Sequence, residues 1–509
     1  MNASVPQAAP EEQEHRGAIV VAVMLSSIMT AIDMTIANVA LPHIQGSLSA
    51  TQEQMGWVLT SYIVAVAITT PLTGWLTGPV GRKKIFVTSI AGFTLASAMC
   101  GISHSLGELV VYRALQGAAG ASLVPLSLAI LLDLYPKEQH GRATAMWAMG
   151  VTLGPIMGPA LGGWLTENYS WRWVFFINVP FGALAMFGSL TFMRETPRTR
   201  TPFDLFGFTM LSIAIGSLQV MLDRGSLLDW FSSTEIVVEA VISAVAAYLF
   251  IVHILTTPHP FVSPALFRDR NFSLGAMLMF IVGIILLATL ALMPPMLANL
   301  FDYPVVTIGL VTAPRGVGTL LAMVLVGRLI GKVDARWLML GGLLATAWSL
   351  WIMTGFSLQM DDRLIIWSGV IQGFGMGFVW VPLTNIAFGT LAPQLRNEGT
   401  SLFNLLRNIG SSIGIAMVMA LLTRNTQEMH SQLAEHVTLY DFATRNHPLF
   451  DAASVDGLRA IDGLVTRQAS MIAYNNDFLL LFVLTLAMLP LVFLLRSPQR
   501  AAPSAVHAE

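Results

Sequence analysis

Fourteen stretches of the chain stay apolar for long enough to cross a bilayer core, which needs about 20 such residues per helix. They fall near 17–41, 53–77, 85–103, 107–132, 143–166, 173–193, 205–222, 236–255, 272–297, 305–330, 337–356, 364–390, 401–423 and 475–495. The pattern predicts an all-α polytopic membrane protein. Fourteen is even, so both termini are expected on the same side.

Composition agrees. Of 509 residues, 11% are charged and 55% hydrophobic, and mean hydropathy is +0.68. A soluble protein carries about 25% charged residues, and a disordered chain is polar and highly charged; both classes are excluded. The net charge of −2 and the lack of any basic run exclude nucleic acid as a partner. The one cysteine, Cys100, cannot form an intrachain disulfide, and no Cys/His cluster suggests a metal. The polar segment 1–16 carries Glu11, Glu12 and Glu14 and does not read as a cleavable signal.

Lysine and arginine set the orientation. With a cytoplasmic N-terminus, 17 of the 27 basic residues fall in inner segments, among them Arg82, Lys83 and Lys84. Seven fall in outer segments and three (Arg113, Arg315, Arg407) inside spans. The bias predicts cytoplasmic termini.

The chain also repeats itself. PLTGWLTGPVGRKK ends span 2 and VLVGRLIGKVDARW ends span 10, pairing Gly74 with Gly327 and Gly78 with Gly331 at an offset of 253. LQGAAGASLVPLS in span 4 resembles IQGFGMGFVWVPLT in span 12, pairing Gln116 with Gln372 at 256. Gly154 and Gly158 pair with Gly410 and Gly414 at the same 256. Spans 1–6 therefore repeat as spans 9–14, with spans 7 and 8 inserted, a 6+2+6 arrangement. Parallel halves of this kind build transporters that rock about a central site. The expected divisions are a cytoplasmic tail 1–16, a six-helix bundle 17–200, inserted helices 201–271, a second bundle 272–496 with a long outer loop 424–474, and a tail 497–509.

A charge at the bilayer centre costs about 2.5–3.5 kcal/mol on insertion scales and so needs a reason. Asp33 is the one carboxylate read as deep in a span, about 13 Å below the outer end of span 1, and Arg113 lies about 10 Å below that of span 4. At matched depth they suggest a protonatable acid whose charge an arginine alternately holds and releases; the alternative is a static ion pair. Arg315 and Arg407 have no acidic partner recognisable in sequence. Arg407 sits near enough to the inner end to snorkel, whereas Arg315 is deeper and a candidate cavity residue. Asn38, Gln116, Gln372 and Asn404 are further cavity or gating candidates. Span 5 reads GVTLGPIMGPALGG, with Gly150, Gly154, Pro155, Gly158, Pro159, Gly162 and Gly163. Glycines at every fourth position let another helix approach closely, and the prolines permit bending. In the first inner loop Gly74, Gly78, Gly81, Arg82 and Lys83 combine a tight turn with basic charge, as a gate or as a topology signal. Asp223 and Arg224 read as interfacial. No HxxxxD, HExxH or GxSxG supports an enzyme.

These motifs together resemble the major facilitator superfamily. GxxxGPxxGPxxGG is similar to its antiporter signature, RALQGAAGA to its span-4 motif and GWLTGPVGRKK to its loop 2–3 motif. DMTIANVALP resembles span 1 of the fourteen-span drug:proton antiporter branch, and GSLQVMLDRGSLLDWFSS and FFINVPFG its EmrB-type multidrug exporters. The resemblance implies proton-driven efflux of hydrophobic or amphipathic compounds across a Gram-negative inner membrane, with no cofactor. It further implies a periplasmic adaptor and a TolC-like outer-membrane channel as partners. Asp33 would couple protons, Arg113 relay them, and the span-5 glycines form the antiport hinge. An exporter dedicated to one endogenous compound, such as a fatty acid, bile salt or siderophore, is the alternative. One departure stands out: the loop motif usually has an aspartate where this chain has Gly78.

Overall fold

Each apolar run lies on helix, and three of the fourteen are broken in two. The computed structural model describes residues 15–496 except 137–138, 197, 199–201, 331, 393–394 and 437–454. In chain order the helices are α1 (Arg16–Leu48), α2 (Gln52–Val80), α3 (Arg82–Ile102), α4 (Leu106–Gly120), α5 (Leu123–Leu134), α6 (His140–Asn168), α7 (Trp173–Phe176), α8 (Asn178–Phe192), α9 (Leu205–Arg224), α10 (Thr234–Thr256), α11 (Ala265–Arg268), α12 (Arg270–Phe301), α13 (Val305–Thr312), α14 (Pro314–Leu329), α15 (Ala335–Met353), α16 (Asp362–Gly389), α17 (Arg396–Glu435) and α18 (Val455–Leu494). The breaks α4/α5, α7/α8 and α13/α14 come within a turn before Pro125, Pro180 and Pro314. Proline has no amide to give the preceding turn, so the ladder lapses there.

Among the described residues, twelve spans are long and apolar enough to cross a membrane. The two remaining expected spans are α6 and α15, about 43 and 28 Å long at 1.5 Å per residue. Glycine dilutes the first, and Arg336 with three tryptophans the second. Trp337, Trp348 and Trp351 of α15 are exposed, as suits a lipid-facing side.

The packing repeats as the sequence does. α1 packs on α6, α8 and α5; its counterpart α12 packs on α17, α18 and α16. α4 packs on α2 and α3 as α16 packs on α14 and α15, and the pair α3/α8 matches α15/α18. The two bundles meet along α2/α17 and α14/α6, which are one interface under the repeat. The α9/α10 pair lies to the side, with α9 against α2 and α17.

Polar contacts seal the bundles at the face bearing the basic loops. Arg82 Nη1 pairs with Asp133 at 2.5 Å, and Arg396 of the other bundle reaches the same carboxylate at 3.3 Å. Arg82 Nη2 also donates to Asn397 Oδ1 at 2.9 Å. Gly74 lies against the backbone of Glu398, whose carboxylate accepts from the Ser263 amide. At the opposite ends of the spans, no hydrogen bond or ion pair joins the bundles among the described residues.

The long outer segment corrects the sequence reading. Residues 424–474 are not chiefly loop: α17 continues to Glu435, α18 begins at Val455, and His430 bonds Asp462 at 3.0 Å between the two arms. Polar residues project from these helices while the backbone satisfies itself. The middle of that segment, the tails before 15 and beyond 496, and Gly331 lie outside the described residues.

Candidate functional site

Asp33 is fully buried inside the first bundle, at 0% exposure. The helix break before Pro180 delivers Asn178 to it, and α4 supplies two residues one turn apart, Arg113 and Gln116. Arg113 Nη1 donates to Asp33 Oδ2 at 2.7 Å. Gln116 Nε2 and Asn178 Nδ2 both donate to Oδ1 at 2.8 Å. Arg113 Nη1 also donates to Gln116 Oε1 at 2.7 Å, and its Nε to the Val58 carbonyl at 3.3 Å. The Tyr62 ring lies 4.2 Å from the guanidinium carbon. Asn178 is itself fixed by Ser97 Oγ at 3.0 Å, which donates to the Phe175 carbonyl at 2.8 Å. Three donors, one of them a guanidinium, thus converge on one buried carboxylate, in charge-assisted hydrogen bonds. Protonation would cancel the ion pair and weaken every bond in the set, so charge and local packing are coupled.

The span-5 glycines pack on the helix that carries this acid. A Cβ on Gly154 would fall on the Ala31 carbonyl, one on Gly158 on Thr35 Oγ1, and one on Gly162 within 2.9 Å of Ile36 Cγ1. Gly150 meets Met24, whereas Gly163 has 3.9 Å of room. Thr35 Oγ1 also donates to the Gly154 carbonyl at 3.0 Å. So α6 rides directly on α1 around Asp33, and bulk on either helix would separate them. α6 is unbroken through Pro155 and Pro159, whose side chains are outside the described set.

The second bundle keeps the frame without the charge pair. Gln372, the counterpart of Gln116, donates to Thr289 Oγ1 at 3.2 Å, and Thr289 stands 256 residues on from Asp33. Among the described residues Arg315 hydrogen-bonds only the Leu286 carbonyl, at 3.4 Å. Arg407 does not snorkel: it bonds Asn408 Oδ1 at 3.0 Å and lies over the Trp380 ring at 5.3 Å. Trp380 in turn faces Trp147 of the first bundle, ring centroids 6.3 Å apart, which sets Arg407 beside the interface between bundles. Asn404 is buried, and its Nδ2 donates back to the Thr400 carbonyl of its own helix at 2.8 Å. Asn38 is exposed.

In the first loop only Gly81 among glycines has a left-handed φ, +97°, and Glu195 crowds the space where a Cβ would stand. Lys83 Nζ donates to the Leu190 carbonyl at 2.7 Å. Half-buried Gly78 offers no carboxylate; the acid that Arg82 meets is Asp133, from the end of α5. Asp334 and Arg336, at the matching turn of the second copy, pair with each other at 2.8 Å. Asp223 accepts from Thr60 and Arg224 pairs with Glu235, tying α9 to α2 and α10.

Sequence reasoning missed Asn178 and Ser97, which are short polar residues in apolar runs and gain meaning only from their neighbours. It passed over Asp133, a lone acid facing a basic loop. It also missed Asp477. Asp33 is therefore not the sole buried carboxylate: Asp477 of α18 is 1% exposed, and neither oxygen has a hydrogen-bond partner among the described residues.

Matched sets of polar residues in two parallel, repeated bundles, sealed at one face, are the architecture of a secondary transporter. Residues 23–415 match the family model described as Major Facilitator Superfamily, and the chain belongs to that family. It is 38% identical over 481 residues to the fatty acid resistance protein FarB of Neisseria gonorrhoeae, covering 93% of this chain and 95% of that one. It is 36% identical over 485 residues to the multidrug export protein EmrB of Escherichia coli (strain K12), covering 94% and 95%. Among solved structures, the proton:xylose symporter XylE bound to 6-bromo-6-deoxy-D-glucose superposes with TM-score 0.61 at 13% identity, covering 94% of this chain and 96% of that one. The human organic anion transporter MFSD10 (TETRAN) gives 0.59 at 14%, covering 94% and 100%. The fold is thus the major facilitator fold, in a multi-pass membrane protein.

Proposed function

We propose that the chain exports hydrophobic or amphipathic compounds across the inner membrane of a Gram-negative bacterium, in exchange for protons, by alternating access. The carrying observation is Asp33: a carboxylate without solvent contact, held by Arg113, Gln116 and Asn178 on the helix that the antiporter glycines grip. A proton entering from the outer side neutralises Asp33, frees Arg113 and relaxes the α1/α6 contact. Loss of the proton to the cytoplasm restores the set. The Arg82–Asp133–Arg396 bridge then closes the inner mouth in the state described above. The names of FarB and EmrB support efflux of toxic amphiphiles, and that of FarB supports the narrower reading of a fatty acid exporter. We also propose a periplasmic adaptor and a TolC-like channel as partners, for which the polar helical arms 424–435 and 455–474 are the natural docking elements. The test is substrate uptake into everted vesicles driven by a pH gradient. Wild type should transport and Asp33→Asn should not; normal transport by that variant would sink the assignment.

A further inference from the structure

Asp477 is the buried acid that the coupling scheme leaves idle. It is 1% exposed, and neither carboxylate oxygen has a hydrogen-bond donor among the described residues. The α12/α18 pair fixes its depth, because hydrogen bonds tie that pair at both ends. Arg467 Nε donates to the Leu300 carbonyl at 2.9 Å, and Asn271 Nδ2 to the Arg496 carbonyl at 2.9 Å. Ten residues inward from Arg467 and Leu300, or 19 outward from Arg496 and Asn271, the antiparallel pair reaches the same level, with Asp477 across from Leu290. Asp477 is therefore abreast of Thr289, the counterpart of Asp33. It stands on the helix that answers to α8, which brings Asn178 to Asp33. The second bundle thus keeps a carboxylate at the level of the first bundle's, but on its last helix instead of its first. The donors did not follow. Gln372 gives its Nε2 to Thr289 and leaves Oε1 buried without a partner among the described residues.

No opposite charge faces Asp477 from the helices packed on α18, which are α17, α15 and α12. α12 carries no charge between Arg270 and Asp302, and the one charged residue of α15, Arg336, is at its inner end. α17 carries none between Arg407 and Arg424. The His430–Asp462 contact sets Ile415 of α17 level with Asp477, so those arginines lie about 12 and 14 Å away along the axis at 1.5 Å per residue. On α18 itself the titratable neighbour is Tyr474, one turn outward and 4% exposed. An ionised carboxylate with neither donor nor counter-charge is too costly for an apolar interior, and such a group takes up a proton instead. We propose that Asp477 is a second proton-carrying carboxylate, neutral in the inner-sealed state described above, which gives its proton to the cytoplasm when the inner mouth opens, so that each cycle exchanges two protons. This goes beyond the export reading above and rests on it. The step is a plain proton transfer: hydronium on the outer side protonates the carboxylate, and water on the inner side takes the proton away. The two bundles then hold their acids in opposite condition, Asp33 charged among three donors and Asp477 neutral among none.

Infrared spectra of the full-length protein in nanodiscs at neutral pH, with isotopically labelled aspartate carboxyls, read the protonation directly. The carbonyl stretch of a protonated aspartate should be present in wild type and in Asp33→Asn and absent from Asp477→Asn. Its absence from wild type, or its persistence in Asp477→Asn, overturns the proposal. So does a band that appears only once sodium is removed, which would mean a metal cation on the carboxylate. Should Asp477→Asn fail to insert, Asp33→Asn decides, since Asp477 is then the one fully buried aspartate among the described residues, and no band in that variant overturns the site. Proteoliposomes with an acidic lumen, an about tenfold proton gradient and the voltage held at zero by valinomycin and equal potassium then test whether the proton moves. Ethidium, a cationic amphipathic dye, should accumulate up to about 100-fold in wild type, since each of two protons contributes about 1.4 kcal/mol. Asp477→Asn should reach no more than about tenfold. Equal accumulation by both would mean a static neutral acid and overturns the proposal. No movement of ethidium by wild type sinks the parent reading instead, whatever the spectra show.

Discussion

Replacing Asp33 by Asn removes one charge from a pair that is 0% and 1% exposed. Arg113 is left with the Gln116 Oε1 at 2.7 Å and the Val58 carbonyl at 3.3 Å, neither of which cancels its charge. Two charges about 4 Å apart at an effective dielectric of 20 attract by about 4 kcal/mol. Breaking a buried pair from one side costs about 3–5 kcal/mol in measured systems. The introduced amide still offers one oxygen to Arg113, so the lower end, about 3 kcal/mol, is expected for Asp33→Asn. The double variant Asp33→Asn with Arg113→Gln removes both charges and should return to within about 1 kcal/mol of wild type. Proton-driven transport should be lost in both. Thermal unfolding of the purified proteins, followed by tryptophan fluorescence, reads the first effect, and uptake into everted vesicles the second. A single variant as stable as wild type would refute the energetic argument. A double variant that transports would refute the coupling role, because stability would then have been the only thing the pair provided.

Gly158→Ala should disrupt the α1/α6 contact by about 1–3 kcal/mol through overpacking, since a Cβ there meets Thr35 and comes within 3.2 Å of the Ile36 amide nitrogen. Gly163→Ala, with 3.9 Å of room, should be tolerated; equal transport loss in both would show that proximity to α1 is not the reason for glycine. Cysteines at Ala145 and Gly327, where Cβ atoms would stand 3.5 Å apart, should form a disulfide across the sealed face. Asp133→Asn should lower its yield by freeing Arg82 and Arg396, and an unchanged yield would remove that bridge from the gate. At Asp204, burial opposes the charge, but bonds from the Gly207 amide, His253 and the Phe261 amide hold its carboxyl below the usual range. Its contribution is therefore complete above the unfolded carboxylate value of about 3.9 and is lost as pH falls through the lower folded value. The stability gap between wild type and Asp204→Asn should be flat from pH 7 to about 5 and shrink below about 4; a gap that grows on acidification would contradict the assignment.

Helix existence and order were legible in the chain because a lipid-embedded backbone has to satisfy its own hydrogen bonds, so a long apolar run has little choice of structure. The internal repeat was legible because nearly equal offsets survive in glycine and glutamine, residues with steric or hydrogen-bonding work to do. The ion pair of Asp33 and Arg113 was readable from depth alone, since two opposite charges at one level of a membrane protein have strong reason to meet. The three-donor cradle was not, because Asn178 and Ser97 are ordinary residues until a proline break and a neighbouring helix aim them at Asp33. Nor could sequence decide that Arg407 turns inward to Trp380 instead of toward the water, that the missing aspartate at Gly78 is answered by Asp133 from another helix, or that the outer polar segment is helical at both ends. Periodicity and composition fix which residues leave water, while partners separated by 80 to 320 positions are chosen only when helices pack, because a side chain's neighbours depend on rotation and crossing of whole elements that no local pattern encodes.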